Sequence, residues 1–479
     1  MAPLRALLLL SVPQRKPSAG DGPAVERAVK EPEEPPALTS TSRVEFHELV
    51  VHREPGRPVL LGCPAARRFL EVEEATLRAV QLVPSCADLG EVERRLQDET
   101  GKEYDVVAFV DFLRQRGFVK SVDGRPLAAA GDGRVLRWLR GIPTDRFAWL
   151  RAPWIGPSVF FLTGLWLVLI ATIVPDAAPS FIDLFILQRP GLLLLTVVAG
   201  LLAFGAVHEL AHYGMARAYG IDATITTGRR FTSLVLQTDV TNAWILPSRA
   251  RLAIFLSGIA YNLAAASVAG LAVTAIHLGL LPLPEAAELA LRFLVLLHLL
   301  PLVFQLFFFA RTDLYFVLLE ALGERNLVAD AKAYLRLRVA RLRHRVSQRP
   351  SGACGTCGRR VFLVEPFCLR CGQRTGAPEQ GKRGPLRFER PTRILGFAVL
   401  WAAGVCFGAF LFATVFLRYL VAFAVLGLAA WRTAAATGDL IAASEALILL
   451  GAVAAQSVML VQGLLWGSEG RRTRRPKTT

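Results

Sequence analysis

Cysteine is sparse in this chain and unevenly spread. Seven occur in 479 residues; four crowd between Cys354 and Cys371, and Cys63, Cys86 and Cys406 are scattered. That distribution excludes an even, dispersed disulfide framework and fits a reducing compartment. Acidic residues are short too: 39 Asp and Glu stand against 55 Lys and Arg, for a formal net charge of +16. Histidine occurs only seven times. The last scarcity is of charge within long runs. Several stretches carry none, and the mean hydropathy of +0.41 is rare for a soluble globular chain of this length, which points to a membrane class.

A bilayer crossing needs about 20 apolar residues. Six runs qualify: Ile155–Val174, Leu192–Tyr219, Leu252–Ile276, Phe293–Ala310 (interrupted by Pro301), Ile394–Leu417 and Ala446–Trp466. Tyr419–Trp431 is shorter and reads as a continuation of the fifth run or an interfacial piece; a seventh crossing there is the alternative, and it would put the basic tail outside. Arginine orients the set. Arg134, Arg137, Arg140, Arg146 and Arg151 precede the first run; Arg229, Arg230, Arg249 and Arg251 follow the second. A third group, from Arg325 to Arg349, follows the fourth run, and the tail "GRRTRRPK" follows the sixth. With six crossings all of these fall on one side, which retention of positive charge makes cytoplasmic. The expectation is a multi-pass protein of the cytoplasmic membrane with both termini inside.

The second run ends in "HELAH". His208 and His212 are four apart, so on a helix they lie on one face and reach one metal ion. Glu209 lies beside that position, where a carboxylate takes a proton from zinc-activated water. Two imidazoles and a carboxylate at membrane depth are costly unless paired, ligated or facing a wet cavity. A hydrolytic zinc site needs a third protein ligand. Asp313, in "RTDLYFVLLEALG", sits at the cytoplasmic end of the fourth run, in the same layer as the histidines; it also reads as a helix N-cap. The string "HELVVH", His47–His52, spaces its histidines five apart and alternates like a strand, so it does not present them to one ion. His277 and His298 read as polar contacts inside the bundle.

These elements resemble the site-2 protease type of intramembrane zinc metalloprotease. "LSGIAYNL", with Gly258 and Asn262, is similar to that family's small-residue motif, and "RTDLYFVLLEALG" to its Asp-bearing helix. "TDVTNAWILPSRARLAIFLSGIAYNL" and "LLEALGERNLVADA" resemble the bacterial peptide zinc metalloprotease branch. The resemblance implies that His208, His212 and Asp313 are zinc ligands, that Glu209 is the general base, and that Asn262 holds or polarises the scissile carbonyl. The family has Asn-Pro shortly before the Asp and Gly after it; here Phe307 and Phe308 precede Asp313 and Leu314 follows. Where the small-residue motif normally includes Pro, this chain has Ile259 and Ala260. Residues 221 to 250 read as strands around a Thr-Gly-Arg turn, either a hairpin whose edge pairs with an unwound substrate or a plain surface hairpin.

The expected fold is a polytopic α-helical membrane protein with a small α/β winged-helix-like N-terminal domain and a cytoplasmic zinc ribbon. Its parts are a disordered tail (1–43, in which "LRALLLLSV" reads as plain tail rather than signal peptide), the winged-helix domain (44–126) and a basic linker (127–152). The metalloprotease core (153–335) is followed by a basic segment (336–392) with a ribbon at 352–374, C-terminal membrane helices (393–467) and a basic tail (468–479). In the N-terminal domain Asp88 caps a helix with Glu91 three residues on. That domain resembles the peptide-binding domains related to the quinone-cofactor biosynthesis protein PqqD, which implies a peptide partner; winged helices also bind DNA. "CGTCGRRVFLVEPFCLRCG" supplies Cys354, Cys357, Cys368 and Cys371 at spacing that suits a closed structural zinc site; iron and redox dithiols are the rivals. Three functions follow: an intramembrane metalloprotease acting on a membrane-bound protein or peptide; a peptide-handling protein that cuts slowly or not at all, in maturation, export or immunity; and a membrane-tethered nucleic-acid-binding regulator.

Overall fold

The computed structural model describes residues 6–9, 37–54, 59–127, 142–230, 233–307, 311–324, 327–328, 331–332, 334–335, 339, 352–353, 360–361, 391–411, 414 and 417–472. The N-terminal domain holds two antiparallel sheets. Strands β1 (Ala6–Leu9), β3 (Val50–His52), β4 (Val59–Cys63) and β5 (Arg68–Val72) lie in the order β1-β5-β4-β3, and β2 (Val44–Phe46), β6 (Val119–Val122) and β7 (Arg125–Pro126) in the order β2-β6-β7. Alternation sets the register: Leu61 faces Leu70 across β4–β5, and Val44 faces Val122 across β2–β6. Helices α1 (Glu74–Leu82), α2 (Leu89–Thr100) and α3 (Val106–Arg114) bury Leu77, Val80, Val92, Leu96, Val110 and Leu113 against these sheets.

The cap of α2 forms as the sequence predicts. Asp88 accepts from the Glu91 N–H at 2.8 Å, while the Glu91 carboxylate reaches back to the Ala87 N–H at 2.7 Å. The tail departs from the expectation of disorder at two places. Ala6–Leu9 pairs with Phe69–Val72, because β5 offers an otherwise unpaired edge to a short apolar segment. The Ser40 carbonyl accepts from the Gly90 N–H at 2.7 Å, which ties residues just before β2 to the start of α2.

Six helices among the described residues are long and apolar enough to cross a membrane. They are α4 (Ile155–Thr172), α5 (Pro190–Ala218), α6 (Ser248–His277), α7 (Glu285–Gln305), α10 (Leu417–Thr437) and the Leu440–Leu460 part of α11 (Leu440–Arg472). α6 is the centre: 44 % of its apolar window is buried, against 6 % for α4 and α5. At Gly270 it approaches α4 so closely that a Cβ would lie 2.2 Å from the Trp166 ring.

Two boundaries differ from the hydropathy reading. α7 starts at Glu285 rather than Phe293, because Pro284 precedes the first turn and Glu285 and Glu288 occupy it, where acidic groups suit the helix dipole. It ends at Gln305, soon after Pro301. The region read as the fifth run and its continuation forms two helices, α9 (Pro391–Leu411) and α10. Arg432 marks the end of the apolar run, but the alanines after it favour helix, and the helix continues until Gly438, at φ 69°, stops it. The described apolar stretch of α9, Leu395–Gly408, is shorter than a span. The segment read as a continuation is thus long and apolar enough to cross, within α10, and takes the place expected of the fifth run.

Between α5 and α6 the chain forms the hairpin β8 (Thr224–Arg230) and β9 (Ser233–Asp239), with Ile225 opposite Thr238. A strand pair is what was expected there, but Thr227-Gly228-Arg229, read as its turn, is paired inside β8, and the reversal follows Arg230. After α7 comes the short helix α8 (Asp313–Leu322). The N-terminal domain docks at this end. Leu60 and Phe69 pack with Trp244. Arg67 bonds Thr224, Asp239 (3.1 Å) and Asp222 (3.2 Å) around the hairpin. Arg251 of α6 binds Glu320 of α8 and Glu54 of the domain, each at 2.6 Å, and the Arg251 and Glu320 side chains are 1 % and 0 % exposed. At the opposite end, Glu445 of α11 accepts from the Gly191 N–H at 2.6 Å and caps α5.

Candidate metal centre

Helical spacing on α5 puts His208 and His212 on one face, both buried, with their Nε2 atoms 3.2 Å apart. Asp313, the first residue of α8, brings Oδ2 to 3.0 Å from His208 Nε2 and 3.3 Å from His212 Nε2. The three donor atoms thus form a nearly equilateral triangle. Tetrahedral zinc, with bonds of about 2.0–2.1 Å, requires ligand separations of about 3.3–3.4 Å. The donor set fits zinc in kind and in spacing, and it is the one group able to hold a metal among the described residues.

Each donor is aimed by a neighbour. His212 Nδ1–H donates to the Ile254 carbonyl at 2.8 Å, which leaves Nε2 with its lone pair toward the centre. α6 passes both rings at Gly258, where a Cβ would stand 2.4 Å from His212 Nε2 and 2.5 Å from His208 Nε2. Only glycine leaves room for the two imidazoles to converge. Gln305, the last residue of α7, holds Asp313 twice: its Nε2 donates to Asp313 Oδ2 at 2.9 Å, and its Oε1 accepts from the Asp313 N–H at 2.9 Å. The expected N-cap role of Asp313 moves one residue back, because Thr312 takes the cap position and its hydroxyl donates to the Gln305 carbonyl at 2.8 Å.

Glu209 is half-buried beside the pair. Its Oε2 accepts from the Thr238 N–H at 2.6 Å, and its own carbonyl accepts from the Thr238 hydroxyl at 2.8 Å. The hairpin is therefore fastened directly to the candidate base. Asn262 is 1 % exposed, and both ends of its amide are engaged, with His208 Nδ1 at 3.0 Å and His298 Nδ1 at 3.1 Å. The contact this gives Asn262 is to the back of a ligand imidazole.

The other candidates lie elsewhere. His52 pairs with Glu54 at 3.0 Å, and His277 with Glu288 at 2.9 Å. Cys63 and Cys86 are buried free thiols and Cys406 is an exposed one; burial pushes the Cys63 thiol up, so it stays protonated. Cys354, Cys357, Cys368 and Cys371 lie outside the described residues. Around the first two, the described chain is a short ladder of β10 (Gly352–Ala353) with β11 (Arg360–Val361).

Sequence reasoning missed Gln305 and Thr238. Gln305 carried one signal, a lone amide at the end of an apolar helix eight residues before Asp313. Thr238 carried none, since its contact depends on how the hairpin folds back. No protein-family model, curated protein or solved structure matches the chain.

Proposed function

We propose that this chain is an intramembrane zinc metalloprotease that hydrolyses a peptide bond in a membrane-bound protein or peptide. One observation carries the reading: the His208, His212 and Asp313 donors stand 3.0–3.3 Å apart at the end of a helix long and apolar enough to cross a bilayer. Zinc held there would supply a Lewis acid that activates water and polarises the scissile carbonyl.

The chain's own residues do the rest. Glu209 takes the proton from the attacking water and returns it to the leaving nitrogen as the C–N bond breaks. Thr238 fixes the carboxylate through Oε2 and anchors the hairpin at the site. A helical substrate must unwind before cleavage, because its carbonyls are engaged in hydrogen bonds; the hairpin edge beside Glu209 offers a partner for the extended segment. Gln305 orients Asp313, and Asn262 orients His208. The N-terminal domain bears a groove of about 330 Å³ between β2, β3 and α1, lined by Val44, Phe46, Leu61, Leu77 and Val80, which suits an apolar peptide partner. A structural zinc in the Cys354, Cys357, Cys368 and Cys371 cluster belongs to the same proposal.

The test uses purified protein in proteoliposomes with a library of membrane-spanning peptides. Mass spectrometry should find zinc-dependent cleavage products that disappear with Glu209→Gln. A second reading, a peptide-binding membrane protein that does not cut, draws on the engagement of Glu209 Oε2 by Thr238. It predicts zinc and peptide binding without products, and Glu209→Gln would then change nothing measurable.

A further inference from the structure

We propose that His298 is a positioning residue of the metal centre that acts on His208 through Asn262. This rests on the metal-centre reading and adds to it a second residue of α7, beside Gln305. His298 sits on α7, 4 % exposed, enclosed by the rings of Phe204, 4.5 Å away, and Tyr261, 5.5 Å away. Its Nδ1 lies 3.1 Å from one end of the Asn262 amide, and His208 Nδ1 lies 3.0 Å from the other. The unbroken path runs from Asp313 through His208 and Asn262 to His298.

The argument is one of hydrogen-bond polarity. A histidine that gives Nε2 to a metal carries its proton on Nδ1, and that proton needs an acceptor. The group facing His208 Nδ1 is the Asn262 amide, whose oxygen accepts and whose nitrogen does not. With the oxygen turned to His208, the amide nitrogen faces His298 and donates to Nδ1. His298 must then be neutral, with its proton on Nε2. Without metal the path runs the other way. His208 Nε2–H donates to Asp313 Oδ2 at 3.0 Å, the amide nitrogen donates to His208 Nδ1, and His298 Nδ1–H donates to the amide oxygen. Metal loading reverses every bond from His208 to His298 with no net proton gained or lost by those residues. His298 permits this because its Nδ1 donates in one state and accepts in the other. A hydrocarbon at that position would leave one end of a buried amide unsatisfied in both states.

The experiment is zinc affinity in the full-length protein, by chelator competition, counting only the zinc lost on His208→Ala/His212→Ala. His298→Phe should bind about 10–100-fold more weakly, the effect of removing an outer partner of a metal ligand. His298→Asn, which keeps an amide able to donate or accept near the Nδ1 position, should recover most of that loss. In an Asn262→Ala background, His298→Phe should cost nothing further, because the only path is gone. Thermal unfolding of the zinc-free variants reports whether each still folds, and His298→Leu, held to the same expected loss, carries the test if His298→Phe does not fold. Wild-type affinity in His298→Phe would overturn the proposal, as would an equal added loss in the Asn262→Ala background. If wild type itself takes no zinc at His208 and His212, the metal-centre reading fails instead.

Discussion

Gly258→Ala is the sharpest perturbation of the centre, because it puts one methyl group in place of a hydrogen at a known position. The new methyl would stand 2.4 Å from His212 Nε2 and 2.5 Å from both Nε2 and Cε1 of His208, where ordinary contact begins at 3.4 Å. Each ring must retreat by the difference, about 1 Å, or α6 must move away from α5. Metal–ligand distances tolerate about 0.2 Å, so either response breaks the donor triangle. The expected loss of zinc affinity is at least about 100-fold, or about 2.7 kcal/mol. Overpacking of the helix contact should also destabilise the fold by about 1–3 kcal/mol. Chelator competition on detergent-purified protein measures the first quantity, and thermal unfolding of the zinc-free form measures the second. Full zinc occupancy with wild-type affinity in Gly258→Ala would refute the reasoning, since it would mean that the imidazoles converge somewhere other than against Gly258.

Three further predictions rest on separate contacts. Gln305→Leu should weaken zinc binding by about 10–100-fold, because Asp313 loses both its side-chain and backbone partners while the helices keep their apolar contacts; the same chelator assay checks it. Glu320→Gln should lower stability by about 1.5–3 kcal/mol, because Arg251 loses one buried carboxylate but keeps Glu54, seen as a lower unfolding midpoint in detergent. Arg67→Ala should loosen the N-terminal domain from the hairpin, so amide hydrogen exchange in residues 233–239 should rise while zinc content stays unchanged.

The helical parts of the site were legible because helix geometry is local. His208 and His212 share a face by spacing alone, and arginine-based topology brought Asp313 into their layer, where the structure has it 3.0 Å from His208. The strand pair from Thr224 to Asp239 was readable, but not its turn: Thr227, Gly228 and Arg229 are paired within β8, so the reversal comes after Arg230. What escaped the sequence depends on tertiary approach. Thr238 reaches Glu209 only because the hairpin folds back on α5, and Gln305 acts only because α7 ends beside α8. The end of α10 escaped for another reason: hydropathy stops at Arg432, whereas backbone preference carries the helix on to Gly438. Docking of the N-terminal domain through Arg67 and Glu54 had no sequence signature, since their partners lie far along the chain.

The Arg251 ion pairs also impose a timetable on synthesis. Glu54 precedes Arg251 by 197 residues, and Glu320 follows it by 69. At about 5–20 residues per second, the ribosome delivers the arginine about 10–39 s after Glu54, and its buried carboxylate partner on α8 about 3–14 s later still. During that second interval a cation destined for full burial has no Glu320 to meet it. The N-terminal domain, complete long before, meets its first docking residues only when Asp222 to Arg251 are made, and the buried triad of Glu54, Arg251 and Glu320 closes later still. Closure of the soluble domain therefore needs nothing made after Glu320, and α9 to α11 join a core whose docking surface is already complete.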